Sequence, residues 1–174
     1  TGLINLFRPS DVCIGPDGAI YVADWFDAKV GGHGTKDEAQ TGAIYRIAPQ
    51  GAELSIPRFD LTTTEGQTQA LKNPSPNVRE LGRARLVASG EKGIPAIKTL
   101  LQDPNLFIRG RAIWALAKMG PKGLKMVERQ LADPNPKIRI CAFRALRHEE
   151  HNILTHAASL AKDPSPMIRR EIAL

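Results

Sequence analysis

Hydrophobic residues are spaced in two different ways along this chain. Up to about residue 50, apolar and polar residues alternate at a period of two. Val12 and Ile14 stand against Asp11 and Cys13, and the runs Ala19 to Trp25 (AIYVADW) and Ala43 to Ile47 (AIYRI) read the same way. This spacing predicts three short β-strands. From about residue 64 the apolar residues recur at three and four. In LFIRGRAIWALAKM, for example, Ile108, Ala112, Ile113, Ala115 and Leu116 share one helical face. The expected fold class is mixed: an N-terminal antiparallel β-sheet over residues 1–50, a linker rich in Pro, Gly and Thr over 51–63, and an all-α solenoid over 64–174.

The first two strands read as a hairpin. GPDG supplies its turn: Pro16 presets φ, and Gly18 can take the positive φ that closes a type I turn with a bulge. A second turn, APQG, follows the third strand. Strands two and three are joined by a segment from about Phe26 to Gly42, far longer than the two to five residues usual between adjacent antiparallel strands. Antiparallel pairing puts the start of one strand beside the end of the next. Arg8 and Asp11 therefore share an edge with Asp24, Trp25 and the long loop, and GPDG lies at the opposite edge. Three short strands are not stable in isolation, which fits one blade of a β-propeller. Trp25 is expected to cap the blade core.

Charge separates the same two regions. Residues 1–60 carry five Lys/Arg and eight Asp/Glu, a balance of −3, whereas residues 61–174 carry nineteen and ten, a balance of +9. No apolar run is long enough to span a membrane. The chain opens in a loop and closes within a helical pattern, so it reads as an internal piece of a longer protein. Cys13 and Cys141 fall in an apolar strand and on an apolar helix face, and buried free thiols are expected. No CxxC or CxxCH occurs.

The helical half repeats every 30 residues. Pro74, Pro104, Pro134 and Pro164 recur in register, as do Arg79, Arg109, Arg139 and Arg169 and the apolar set Val78, Ile108, Ile138 and Ile168. Each copy reads as a helix, a DPN or DPS stop, and a second helix capped by Asn or Ser, with copies at about 64–89, 93–118, 123–147 and 151–174. These copies resemble short HEAT repeats, an α-solenoid in which each pair buries its face against its neighbours. By that resemblance, the acid and arginine six residues apart (Asp103/Arg109, Asp133/Arg139, Asp163/Arg169, with Asn73/Arg79 as a variant) hydrogen-bond between stacked repeats.

The remaining basic residues, Arg83, Arg85, Arg111, Lys118, Lys122, Lys125, Arg144 and Arg147, read as a docking face for an acidic protein partner or as a solvated face. Nucleic-acid recognition is disfavoured because Trp114 and Phe143, the aromatics that would read bases, fall on apolar helix faces. HEEH (His148 to His151), with His156 beyond it, is not HExxH, so it reads as a turn between repeats, and no metal site is assigned.

The stretch FRPSDVCIGPDGAIYVADWFD…GGHG…GAIYRI, roughly residues 5–50, closely resembles the last blades of quinoprotein sugar dehydrogenase-like propellers. It is most similar to those of the membrane-bound dehydrogenases of planctomycete-type bacteria, in which HEAT repeats and a c-type cytochrome domain follow. The resemblance implies pyrroloquinoline quinone with calcium, haem c in the parent protein, a sugar or other alcohol as substrate, and a periplasmic or membrane-associated location. Arg8 matches the arginine that reaches the quinone, with Asp11 beside it, and a guanidinium fork suits a polycarboxylate. Where that family often has a second basic residue, this chain has Ser10. Arg8 and Asp11 can equally pair with each other to lock the blade.

His33 reads as a general base for a hydroxyl, as a metal ligand with Asp37 or Glu38, or as a solvated loop histidine. Asp24 and Asp37 are the acids of the substrate-loop edge. Two functions follow: part of a sugar or alcohol dehydrogenase passing electrons to a cytochrome domain, or a non-catalytic interaction scaffold.

Overall fold

A computed structural model of the chain describes residues 7–25 and 42–174. These divide into two compact units, residues 1–58 with 73–79, and residues 59–72 with 80–174. Among the described residues the secondary structure is a three-stranded antiparallel sheet followed by eight α-helices, the mixed class expected. No helix among them is long and apolar enough to cross a membrane.

The sheet runs β1 (Pro9–Ile14), β2 (Ile20–Asp24), β3 (Ala43–Ile47), in spatial order β1-β2-β3. Cys13 pairs with Tyr21 and Tyr21 with Arg46, while a register shift lies between Pro9 and Asp11. The GPDG turn closes with Gly15 N donating to Ala19 O at 2.9 Å, and Gly18 sits at φ +85°, which a side chain disfavours.

Asp17 of this turn is a hub. Its Oδ1 accepts from Ala19 N, and its Oδ2 accepts from Tyr21 OH at 3.1 Å and from Arg46 Nη2 at 2.8 Å, which ties all three strands' turn edge together. Burial pulls the Asp17 carboxyl upward, but the hydrogen bonds from Arg46, Ala19 and Tyr21 outweigh it and hold the group below its ordinary value.

Two sequence expectations fail in the sheet. Cys13 is exposed, and Trp25 is 69% exposed among the described residues. In a single-layer sheet the apolar side chains on both faces meet solvent unless another layer covers them.

The helices form four pairs: α1 (Thr64–Lys72) with α2 (Pro76–Ala88), α3 (Ile94–Leu100) with α4 (Leu106–Ala117), α5 (Gly120–Arg129) with α6 (Pro136–His148), and α7 (Ile153–Leu160) with α8 (Pro166–Ile172). The recurring proline stops each first helix. The Asp or Asn before it folds the turn, its Oδ1 accepting the amide two residues on: Asn73 from Ser75, Asp103 from Asn105, Asp133 from Asn135, Asp163 from Ser165, all at 2.8–2.9 Å. Asn105 and Asn135 then cap α4 and α6, accepting from Phe107 N and Lys137 N at 2.9 Å.

Each pair buries its inner face on the next. The main core includes Leu71, Leu86, Ile97, Ile113, Leu116, Val127 and Leu146. Gly82 allows the close approach of α2 to α1, because a Cβ there would stand 2.6 Å from Gln67 O. A second, smaller cluster of Phe143, Leu160 and Ile168 joins the third pair to the fourth.

Candidate functional site

The sheet edge brings part of its expected set together. Arg8 N donates to Asp24 Oδ1 at 2.7 Å, Trp25 N donates to Arg8 O at 2.9 Å, and Pro9 lies opposite Asp24. Asp11 turns its Oδ1 to the backbone amide of Val12, and Arg8 Nη1 donates to Phe7 O at 3.3 Å. His33, Asp37 and Glu38 lie outside the described residues. The described edge therefore offers one guanidinium and two carboxylates, with an oxygen of each acid already accepting a backbone amide. Cys13 and Cys141 are too far apart in sequence to make the CxxCH of a haem c attachment.

Between the later helix pairs, the arginine of one turn reaches the aspartate of the next, whereas at the first joint Lys72 Nζ meets Asp103 Oδ2 at 3.2 Å. Arg109 Nη2 binds Asp133 Oδ2, and Arg139 binds Asp163 bidentately through Nη2 at 2.7 Å and Nε at 2.9 Å. Arg139 Nη1 also holds the carbonyls of its own turn, Asp133 and Pro134, and Arg169 repeats that grip on Asp163 and Pro164. The aspartate thus folds its own turn and receives the preceding repeat. In the first of these turns Asn73 Nδ2 donates to Pro16 O at 2.9 Å, within the first unit. The hydrogen bonds of Arg139 hold the Asp163 carboxyl below its ordinary value, against the upward pull of burial and with help from Ser165 N–H.

Most of the remaining basic residues are engaged. Arg83 pairs with Glu80, Lys118 with Glu149, Lys122 with Glu91, and both Arg144 and Arg147 with the buried Glu171. Arg111 Nη1 donates to the carbonyls of Leu71 and Lys72, at the end of α1. Apart from Glu80, three residues before Arg83, the acids that order these side chains lie at distances no short motif reveals.

Among the described residues, three of the second helices carry exposed apolar side chains, and the first helix α7 carries one more, Leu154. Phe107, Arg111, Trp114 and Lys118 make one stripe of α4, and Lys137, Cys141, Arg144 and His148 make the same stripe of α6 thirty residues on. Leu81 (54% exposed), Phe107 (79%), Trp114 (36%) and Met167 (50%) all sit at these register positions of α2, α4 and α8. The placement of Trp114 on an apolar face is thereby corrected: its face is the outer one, where His148 meets it edge-on at 5.6 Å. Phe143 is buried as expected. Cys141 is half-buried rather than buried, and burial pushes its thiol upward, away from the reactive thiolate.

The HEEH stretch forms the expected turn between α6 and α7, but its histidines part company. His148 Nδ1 lies 3.0 Å from Glu149, on the side of Trp114. His151 Nε2 instead lies 3.0 Å from Glu128 Oε1 on α5, and His156 Nε2 of α7 lies 3.3 Å from the same oxygen. Burial raises the Glu128 carboxyl, and its contacts with His151, Asn152 and His156 outweigh this and keep it below its ordinary value. Sequence reading missed Glu128 because 23 residues separate it from His151.

The family model described as HEAT repeats matches residues 64–147, the stretch that forms α1 to α6. No curated protein matches the chain.

Proposed function

We propose that the helical unit is a protein-interaction scaffold whose second-helix face receives an acidic, apolar-bearing segment of a partner protein. The observation that carries this reading is the stripe of exposed Leu81, Phe107, Trp114 and Met167, set among basic residues on repeats of HEAT type. Ion pairing orders many of those basic side chains but leaves the excess of +9 over residues 61–174 in place, because the acids are already counted in it. Aromatic anchors within a charged rim are what protein interfaces use.

Selection of peptides on the immobilised chain tests this. The expected binders interleave Asp or Glu with apolar residues and lose on the order of tenfold in affinity against a Phe107→Ala/Trp114→Ala variant. Neutral or basic binders, or equal affinity for the variant, would overturn it.

A second reading, a quinone-dependent sugar or alcohol dehydrogenase, draws support from the shared edge of Arg8 and Asp24 and from the resemblance of the sheet. It expects saturable quenching of tryptophan fluorescence by pyrroloquinoline quinone with calcium, weakened by Arg8→Ala. Absence of saturable quenching counts against it.

A further inference from the structure

We propose that Glu128, His151 and His156 form a binding site for a divalent ion of the zinc class, clamping α5 to the turn and helix that follow α6. Two imidazole nitrogens and one carboxylate oxygen are a donor set that zinc accepts while keeping a position for water. They come from three places in the fold: α5, the turn before α7, and α7 itself.

Their spacing fits an ion. Zinc held tetrahedrally at about 2.0–2.1 Å from N and O donors sets those donors roughly 3.3 Å apart. Glu128 Oε1 is 3.0 Å from His151 Nε2 and 3.3 Å from His156 Nε2, and the three donor atoms all lie within 4.8 Å of one another. The rings of His151 and His156 are tilted by 35° with centroids 6.2 Å apart, so both present Nε2 to one point instead of stacking on each other.

A second observation points to a missing partner. His156 Nε2 is buried and makes no hydrogen bond, although it lies so close to the carboxylate. A buried polar nitrogen left unsatisfied is costly and calls for an explanation. A bound cation supplies one, drawing on the lone pairs of both Nε2 atoms and leaving each Nδ1–H to donate outward. The competing arrangement has both rings as Nε2–H donors to the carboxylate. It satisfies His151 but leaves His156 as it stands.

The location gives the site a purpose. The small cluster of Phe143, Leu160 and Ile168 joins the third and fourth pairs, whereas a far larger apolar core runs through the first three. An ion bound here would hold together the joint with the least apolar burial.

The experiment is calorimetric titration of the chelator-treated 174-residue chain with Zn²⁺, with Co²⁺ absorption as a second readout. The expected result is one ion per chain, a zinc-dependent rise in melting temperature, and a loss of affinity on the order of tenfold or more in Glu128→Gln, His151→Ala and His156→Ala. His148→Ala, which alters the same turn outside the cluster, should bind as the parent does. His156→Gln keeps bulk and polarity if the alanine variant does not fold, and it too should lose zinc. Failure of the parent chain to bind one ion, parent-like binding by His156→Gln, or an equal loss in His148→Ala would overturn the proposal.

Discussion

In the sheet, Val12, Ile44 and Ile47 leave large apolar side chains exposed, while in the helix pairs Ile97, Ile113 and Leu116 are fully buried. Both sets were placed by regular hydrophobic periodicity, at two residues in one region and near 3.6 in the other. Periodicity sorts side chains to a face, but burial needs something to cover that face. Each helix pair finds its cover in a neighbouring pair of the same chain. The three strands form one layer, and neither of its faces supplies a cover for the other.

Substitutions of equal size in the two regions put the contrast under the greatest strain. Leu116→Ala should cost about 2–5 kcal/mol, because it leaves a cavity in the middle of the core. Ile44→Ala should change stability by about 0.5 kcal/mol or less, because that side chain is 75% exposed. Urea denaturation monitored by circular dichroism measures both, and equal losses would break the comparison.

The next effect belongs to the turns. Asp163→Asn should cost about 1–3 kcal/mol near neutral pH, since it weakens the bidentate pair with the half-buried Arg139. The folded Asp163 carboxyl titrates below its ordinary value, so its contribution is present above the unfolded carboxylate range and is lost as pH falls through the lower folded value. The parent should therefore lose more stability than the variant between neutral and strongly acidic pH. Parallel pH profiles would show that the pair does not couple the repeats.

The smallest effect sharpens the local side of the argument. Asn135→Ala removes the cap on Lys137 N and should cost about 1 kcal/mol. Ser165→Ala should cost less, because Ser165 precedes α8 without a side-chain cap hydrogen bond. Comparing their urea midpoints tests the distinction.

Much of the fold was legible from local pattern. β3 falls on the expected Ala43–Ile47, α1 begins at the expected residue 64, and the four helix pairs follow the 30-residue period. The links from Arg109 to Asp133 and from Arg139 to Asp163 were legible too, because repetition itself marks residues that meet their counterparts in the next copy, while the pairing of Lys72 with Asp103 carried no such mark. Other features depend on contacts that no period marks. Nothing near Asp17 announced that Arg46 would reach it, and nothing in HEEH announced that His151 would turn toward Glu128 while His148 turned toward Trp114. The exposure of Cys13 and Trp25 was misjudged for the same reason: an apolar position predicts a face, and its burial depends on a layer the strand does not contain.

By itself the sequence determined strand, turn and helix, the division into a sheet and four helix pairs, and the turn chemistry of Asp, Pro and Asn, because these rest on interactions within a few residues or on a strict repeat. Only the tertiary structure decided that Asp17 meets Arg46 and that Glu171 meets Arg144 and Arg147, which side chains stay exposed on the second helices, and which histidines converge on Glu128. Those outcomes depend on where packing places segments that are distant in the chain.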